Sequence, residues 1–288
     1  AGLNRPDNVE DVAYSEAQQV LLELDSLGSV PNQVKSPVAI LFDYETEWLI
    51  STQPQGSNFD YIHLTFDFYS TVRQMGFNVD FIRPGQSLKG YDLVIIPSLP
   101  IISNETLSTL AEYDGTVVFG PRTGSKTQNF QIPINLPPGN LQSLFPIKVT
   151  RVSSWNNNAT LTVNYQGVSY PVYYWTETVE TQQASSIAQY SNGKDAILQH
   201  SNYFYLSFWP GTPDASNALL KSFLSQVATQ AGLKPSMNNF SVRVQQRGNW
   251  FFAFNFGNQK VQTPAPSSAT YLLGGSMLNP FDLAIWME

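Results

Sequence analysis

Ser36-Pro-Val-Ala-Ile-Leu-Phe-Asp-Tyr-Glu-Thr-Glu-Trp48 is the stretch on which the reading of this chain turns. Val38 to Phe42 is an unbroken apolar run. A strand with one wet face would alternate, so this one reads as buried on both faces. Acidic residues begin where the strand should stop. In open α/β sheets the loops at the carboxyl ends of strands carry the ligand or interface chemistry. Similar runs recur at 93–97 and 116–120 with helix-like segments between them. Together they predict a parallel sheet covered by helices.

Outward from this core, Val20, Leu21, Leu24 and Leu27 recur at helical spacing and predict a helix over 11–27, stopped at Gly28. A loop is expected from 43 to about 58, then a helix over 61–75, a short strand over 78–82, and a helix over 103–113 with Ser103 as its cap. From about Ile147 the texture changes to short alternating runs at 148–152, 159–165, 172–175 and 195–198, which read as antiparallel strands. A buried strand over 203–208 and an amphipathic helix over 215–231 follow. Beyond Pro235, strands at 242–244, 250–256 and 260–262 form a small β unit. The fold class expected is therefore α/β with β insertions, followed by a small antiparallel β domain.

Composition narrows the function. With 42% hydrophobic and 13% aromatic residues, the 288-residue chain forms a proper core. A net charge of −7 without any Lys/Arg cluster argues against a nucleic-acid partner. The absence of cysteine excludes disulfides, thiolate metal sites and a cysteine nucleophile. No apolar run reaches the roughly 18 residues of a membrane span. Only 13% of residues are charged, so amides and hydroxyls carry the polar surface, a composition that leans towards an extracytoplasmic protein. His63 and His200 are too few for a metal set, and the glycine-rich phosphate motifs are missing, so no cofactor and no metal are expected.

Several blocks together carry a resemblance. Gly2-Leu3, Tyr14-Ser-Glu16, the stretch 38–45 with Trp48, then 90–97, Arg122-Thr-Gly-Ser-Lys126, Leu136-Pro-Pro-Gly139 and Trp175-Thr-Glu177 resemble, in this order, the part of glycoside hydrolase family 42 β-galactosidases that follows the catalytic barrel. Gly193-Lys-Asp-Ala196 and the run 243–256 resemble later strands of that family. The resemblance implies a flavodoxin-like middle domain that mediates homotrimer formation, similar also to class I glutamine amidotransferase domains, and a small terminal β domain. It implies the boundaries 1–35 for an exit segment and linker helix from a missing barrel, 36–234 for the trimerisation domain and 235–288 for the β domain. Cleavage of terminal β-galactosides with retention is implied for the whole enzyme, but the stretches that hold its catalytic carboxylates have no counterpart here. The N-terminus, Ala1-Gly-Leu without an initiator Met, fits a fragment. The expected function is thus the non-catalytic assembly portion of such an enzyme, inactive alone.

Retaining glycosidases need two carboxyl groups about 5–5.5 Å apart. Glu45 with Glu47, or Glu177 with Glu180 on a loop or short helix, are the pairs available to face one cleft. Trp48 and Trp175, next to acids, are expected near an exposed cleft. Arg122, after a buried strand, is expected to contact a carboxylate or a neighbouring subunit. Glu45, Glu47, Trp48, Arg122, Trp175 and Glu177 are therefore the candidates for substrate or interface contact, galactosides included. Two rivals remain open: a free-standing carbohydrate- or small-molecule-binding module using the same loops, and a stand-alone hydrolase using Glu45, Glu47 or Glu177.

Overall fold

The structure, a computed structural model, describes residues 2–56, 58–155, 161–181, 183–214, 216–236, 238 and 241–288. The described residues fall into two compact units, one from Lys35–Met237 and one from Ala1–Val34 with Asn238–Glu288.

In the second unit named, α1 (Val12–Leu27) starts at Asp11, whose side chain accepts from Val12 N–H, and ends at Gly28 with φ 66°. None of its side chains is buried, and Val20, Leu21 and Leu24 stay roughly half exposed or more.

The larger unit is built on β1 (Val38–Leu41), fully buried as its apolar run requires. Instead of a loop, α2 (Tyr44–Thr52) follows at once. Asp43 creates it: its carboxylate accepts from Thr46 N–H at 2.9 Å and so caps the first turn. Next come α3 (Tyr61–Gln74), capped by Asp60, β2 (Val79–Ile82), β3 (Leu93–Ile96), α4 (Asn104–Ala111) and β4 (Thr116–Phe119). Ser103 caps α4 as expected, accepting from Thr106 N–H at 3.1 Å.

After a 3₁₀ turn (Gly139–Ser143) the chain adds β5 (Ile147–Ser154), β6 (Leu161–Tyr165), β7 (Val168–Thr181), β8 (Ser185–Tyr190), β9 (Asp195–His200), β10 (Tyr203–Leu206) and β11 (Phe208–Trp209). The helix α5 (Ala218–Gln230) closes the unit. Ala159, at the start of the strand expected over 159–165, and Ala215, at the start of the helix expected over 215–231, lie outside the described residues.

Among the described residues one sheet of eleven strands runs β11-β7-β6-β8-β9-β10-β4-β3-β1-β2, with β5 on β7. The stretch β10-β4-β3-β1-β2 is all parallel; the remaining pairs are antiparallel. The side-chain period of two sends alternate residues of each buried strand to opposite faces. Val38, Ile40, Leu93, Ile95, Val118 and Phe204 pack with α3 and α5. Ala39, Leu41, Val94, Ile96, Val117 and Phe119 pack with Leu110 of α4, Leu141 and Phe145.

In the other unit β12 (Val242–Arg247), β13 (Trp250–Asn255), β15 (Thr270–Leu273) and β17 (Leu283–Met287) form an antiparallel sheet in the order β12-β13-β17-β15; β14 (Val261–Gln262) pairs β16 (Met277–Leu278). Phe251 stacks on Trp286 at 5.5 Å over a core of Val242, Val244, Ala253 and Ala284. The last strand expected from the sequence ends at Gln262; β15 and β17 lie beyond it, and β17 is one of the two inner strands, pairing both β13 and β15.

Candidate functional site

Three of the six candidates meet in one buried cluster. Glu177 stands in the middle of β7, a strand of fourteen residues, and not on a loop or helix. Its main-chain N–H donates to Ser207 O at 2.6 Å, and its carboxylate is 3% exposed. Oε1 accepts from Arg122 N–H at 2.8 Å and from Trp175 Nε1–H at 3.0 Å, while Oε2 accepts from the Tyr205 hydroxyl at 2.6 Å. Burial raises the Glu177 carboxyl above the usual carboxylate range; Tyr205, Trp175 and Arg122 pull it back towards the ion.

Arg122 follows β4 on the turn Gly120-Pro121-Arg122, in the left-handed region with φ 65°. Such a residue after a parallel strand is the geometry of a nucleophile elbow, but here it carries a guanidinium. The contact to Glu177 runs through the backbone N–H. The guanidinium itself, 2% exposed as a residue, donates to Pro54 O at 3.0 Å and Gln53 O at 2.9 Å. It also lies over the rings of Phe59 and Trp175, at 4.8 and 5.5 Å. Burial lowers its pKa to about 10, against the attraction of Glu177. Trp175 is 1% exposed, in the core and not at the rim of an open cleft. Arg122, Trp175 and Glu177 line the floor of a small open pocket of about 160 Å³ whose walls include Ile132, Leu136 and Val152. The cluster ties the exit of α2, the turn after β4 and the strand β7 together.

The other three candidates sit on α2. Glu45 and Glu47 are two apart on a helix, a spacing that does not bring side chains face to face. Glu47 Oε1 accepts from Ser51 Oγ at 2.8 Å, one turn on. Glu45 instead lines a cleft of about 590 Å³ with Asp43, Arg83, Ser103, Glu105 and Phe130, outside the carboxyl ends of β1, β2 and β3. Of the residues nominated for galactoside contact, it is the one on this cleft. Trp48 is 65% exposed. Glu180 is three residues from Glu177 along one strand, hence on the opposite face, and is exposed. Neither carboxylate pair faces a common cleft.

Sequence reasoning missed Tyr205, Phe59 and Asp67. Tyr205 was discoverable, since a tyrosine inside a run as apolar as 203–208 needs a partner for its hydroxyl. Asp67 is buried in α3, accepting from Asn217 Nδ2–H at 2.9 Å, with His63 Nε2 at 3.8 Å. Burial pushes its carboxyl up. Among the described residues no group of three or more His, Cys, Asp or Glu is placed to hold a metal ion, and no helix is long and apolar enough to cross a membrane.

By fold and site, then, this is a helix-covered mixed sheet whose best-formed polar cluster binds its own elements together. Residues 36–234 match the β-galactosidase trimerisation domain, and residues 241–288 match the β-galactosidase C-terminal domain. The chain belongs to this family: it carries the trimerisation domain, a non-catalytic portion of glycoside hydrolase family 42 β-galactosidases, followed by their C-terminal domain. It is 43% identical to a β-galactosidase of a Thermus species and 42% identical to one of Thermus thermophilus, in each case over 100% of this chain and 44% of that protein. A crystal structure of the β-galactosidase from the psychrophilic Marinomonas ef1 superposes with a TM-score of 0.93 at 32% identity, covering 100% of this chain and 44% of that one. The chain thus spans less than half the length of the curated relatives it matches.

Proposed function

We propose that this chain holds a β-galactosidase together as a homotrimer, while the catalytic barrel belongs to the part of the enzyme that precedes it. The observation that carries this reading is the ordered match of a trimerisation domain and a C-terminal domain over nearly the whole chain, beside relatives more than twice as long. Residues 1–35 are then the exit segment and linker helix, 36–234 the assembly domain and 235–288 the terminal β domain. The parallel order β2-β1-β3-β4-β10 corresponds to the flavodoxin-like order 2-1-3-4-5, which supports a flavodoxin-like label for the middle domain. Substrate in the whole enzyme is a terminal β-galactoside. The free-standing binding module draws no support from the family or the relatives. The roles of Glu177 and Arg122 are structural in this reading: the Glu177 carboxylate accepts three hydrogen bonds from within the chain, and the Arg122 guanidinium donates two to the backbone carbonyls of Gln53 and Pro54.

Sedimentation velocity of the 288-residue chain tests the proposal: the expected species has three times the 32.1 kDa protomer mass. The same preparation should leave a chromogenic galactoside intact. A monomer at every concentration overturns the assembly reading, and galactoside hydrolysis abolished by Glu177→Gln overturns the non-catalytic one.

A further inference from the structure

Among the described residues β2 is one edge of the large sheet, and aromatic side chains crowd around it. Phe42 meets Tyr44 with ring centroids 5.0 Å apart and Phe81 at 6.3 Å; Phe81 meets Tyr69 at 5.5 Å, and Tyr69 meets Phe66 at 6.4 Å. Two further side chains extend this chain of rings at helical spacing. Trp48 is four residues from Tyr44 on α2, and Ile62 four from Phe66 on α3. Tyr44, Trp48, Ile62, Phe66 and Phe81 are between 47% and 65% exposed.

We infer that this strip, resting on the assembly reading above, is the surface that a second copy of the chain covers. Area supports it. At roughly 150–250 Å² for each aromatic side chain, the exposed portions offer on the order of 500 Å² of apolar surface. That is in the size range of the largest apolar patch a protein exposes, which is often functional, and it makes up most of the roughly 800 Å² per partner of a stable interface. Construction supports it too. The strip is carried by two helices and a strand inside the matched trimerisation domain, so its geometry is fixed before contact and little side-chain entropy is lost on docking. A closed trimer uses heterologous contacts, in which two different patches of each copy meet. The strip therefore faces another part of the next copy, and damage to it breaks all three contacts at once. The sheet edge explains the location: an uncovered edge strand invites open-ended pairing, and a partner lying over it removes that hazard.

Phe66→Asp and Trp48→Asp test the inference, singly and together, with Phe66→Leu and Trp48→Phe as conservative partners. Both positions are exposed in the single chain, so circular dichroism and urea midpoints should stay near those of the parent protein. Association should weaken by on the order of 100-fold or more in the double variant, leaving a monomer at concentrations where the parent is assembled. The conservative changes should leave the assembly intact. If the parent assembles and the double variant assembles equally well, the surface assignment is overturned while the assembly reading stands. That outcome is also the one expected if another domain of a longer chain covers the strip. A parent that never associates overturns both. A parent dimer lost in the variants supports the surface and overturns the trimer.

Discussion

Glu177 shows what one buried carboxylate does when three donors converge on it. Its two oxygens accept from Arg122 N–H, Trp175 Nε1–H and the Tyr205 hydroxyl. Glu177→Leu leaves all three donors buried without their acceptor, and the change should destabilise the fold by about 3 kcal/mol in urea unfolding. Asp67 gives a pH prediction. Burial raises its carboxyl above the ordinary aspartate value, so the folded state holds a proton that the unfolded state has released. That contribution to stability is present below the ordinary aspartate pKa and is lost as pH rises through the raised one. Asn at this position keeps the acceptor for Asn217 and cannot ionise. The stability of Asp67→Asn relative to the parent should therefore increase as pH climbs from about 4 through the raised value, read from urea midpoints across pH. An unchanging difference would mean that Asp67 does not titrate in this window.

Among the elements, the turn after β4 is the most constrained. A Cβ on Gly120 would lie 1.9 Å from the Pro97 carbonyl oxygen, a backbone atom at the end of β3. Two parallel strands and the Arg122 elbow meet there, so neither side has room to yield. Gly120→Ala should cost about 3 kcal/mol and lower the thermal midpoint; a midpoint like the parent's would show that β3 and β4 separate freely. In the smaller unit, Trp286 of β17 fills the sheet core beneath Phe251. Trp286→Ala should cost about 3–5 kcal/mol of that unit's stability, followed by the near-ultraviolet signal.

For the molecule as a whole, self-association links stability to concentration. A chain that assembles only when folded gains stability by mass action, so its thermal midpoint should rise with protein concentration. The Phe66→Asp, Trp48→Asp double variant should lose that dependence while keeping the low-concentration midpoint. A concentration-independent midpoint in the parent would count against assembly by this chain.

The sequence by itself determined the buried parallel strands, because an unbroken apolar run is stable only with both faces covered, as at Val38–Leu41 and Leu93–Ile96. It also determined the Ser103 cap and, through an ordered set of short blocks, the family. It could not reveal α2, whose start depends on the Asp43 carboxylate reaching back to Thr46 N–H among residues with mixed propensity. Nor could it give β7 its length, since Pro171 and a row of tyrosines obscure the alternation. The fate of the six candidates was decided only by tertiary structure. Arg122 and Glu177 are 55 residues apart in sequence, and Arg122 and Gln53 are 69 apart. No local pattern encodes which strands pair between them. Once β10 lies on β4, and β7 takes its place among the antiparallel strands beyond, the acid and the arginine are buried together. Glu45 and Trp48, a few residues from β1, are left at the surface by the same pairing.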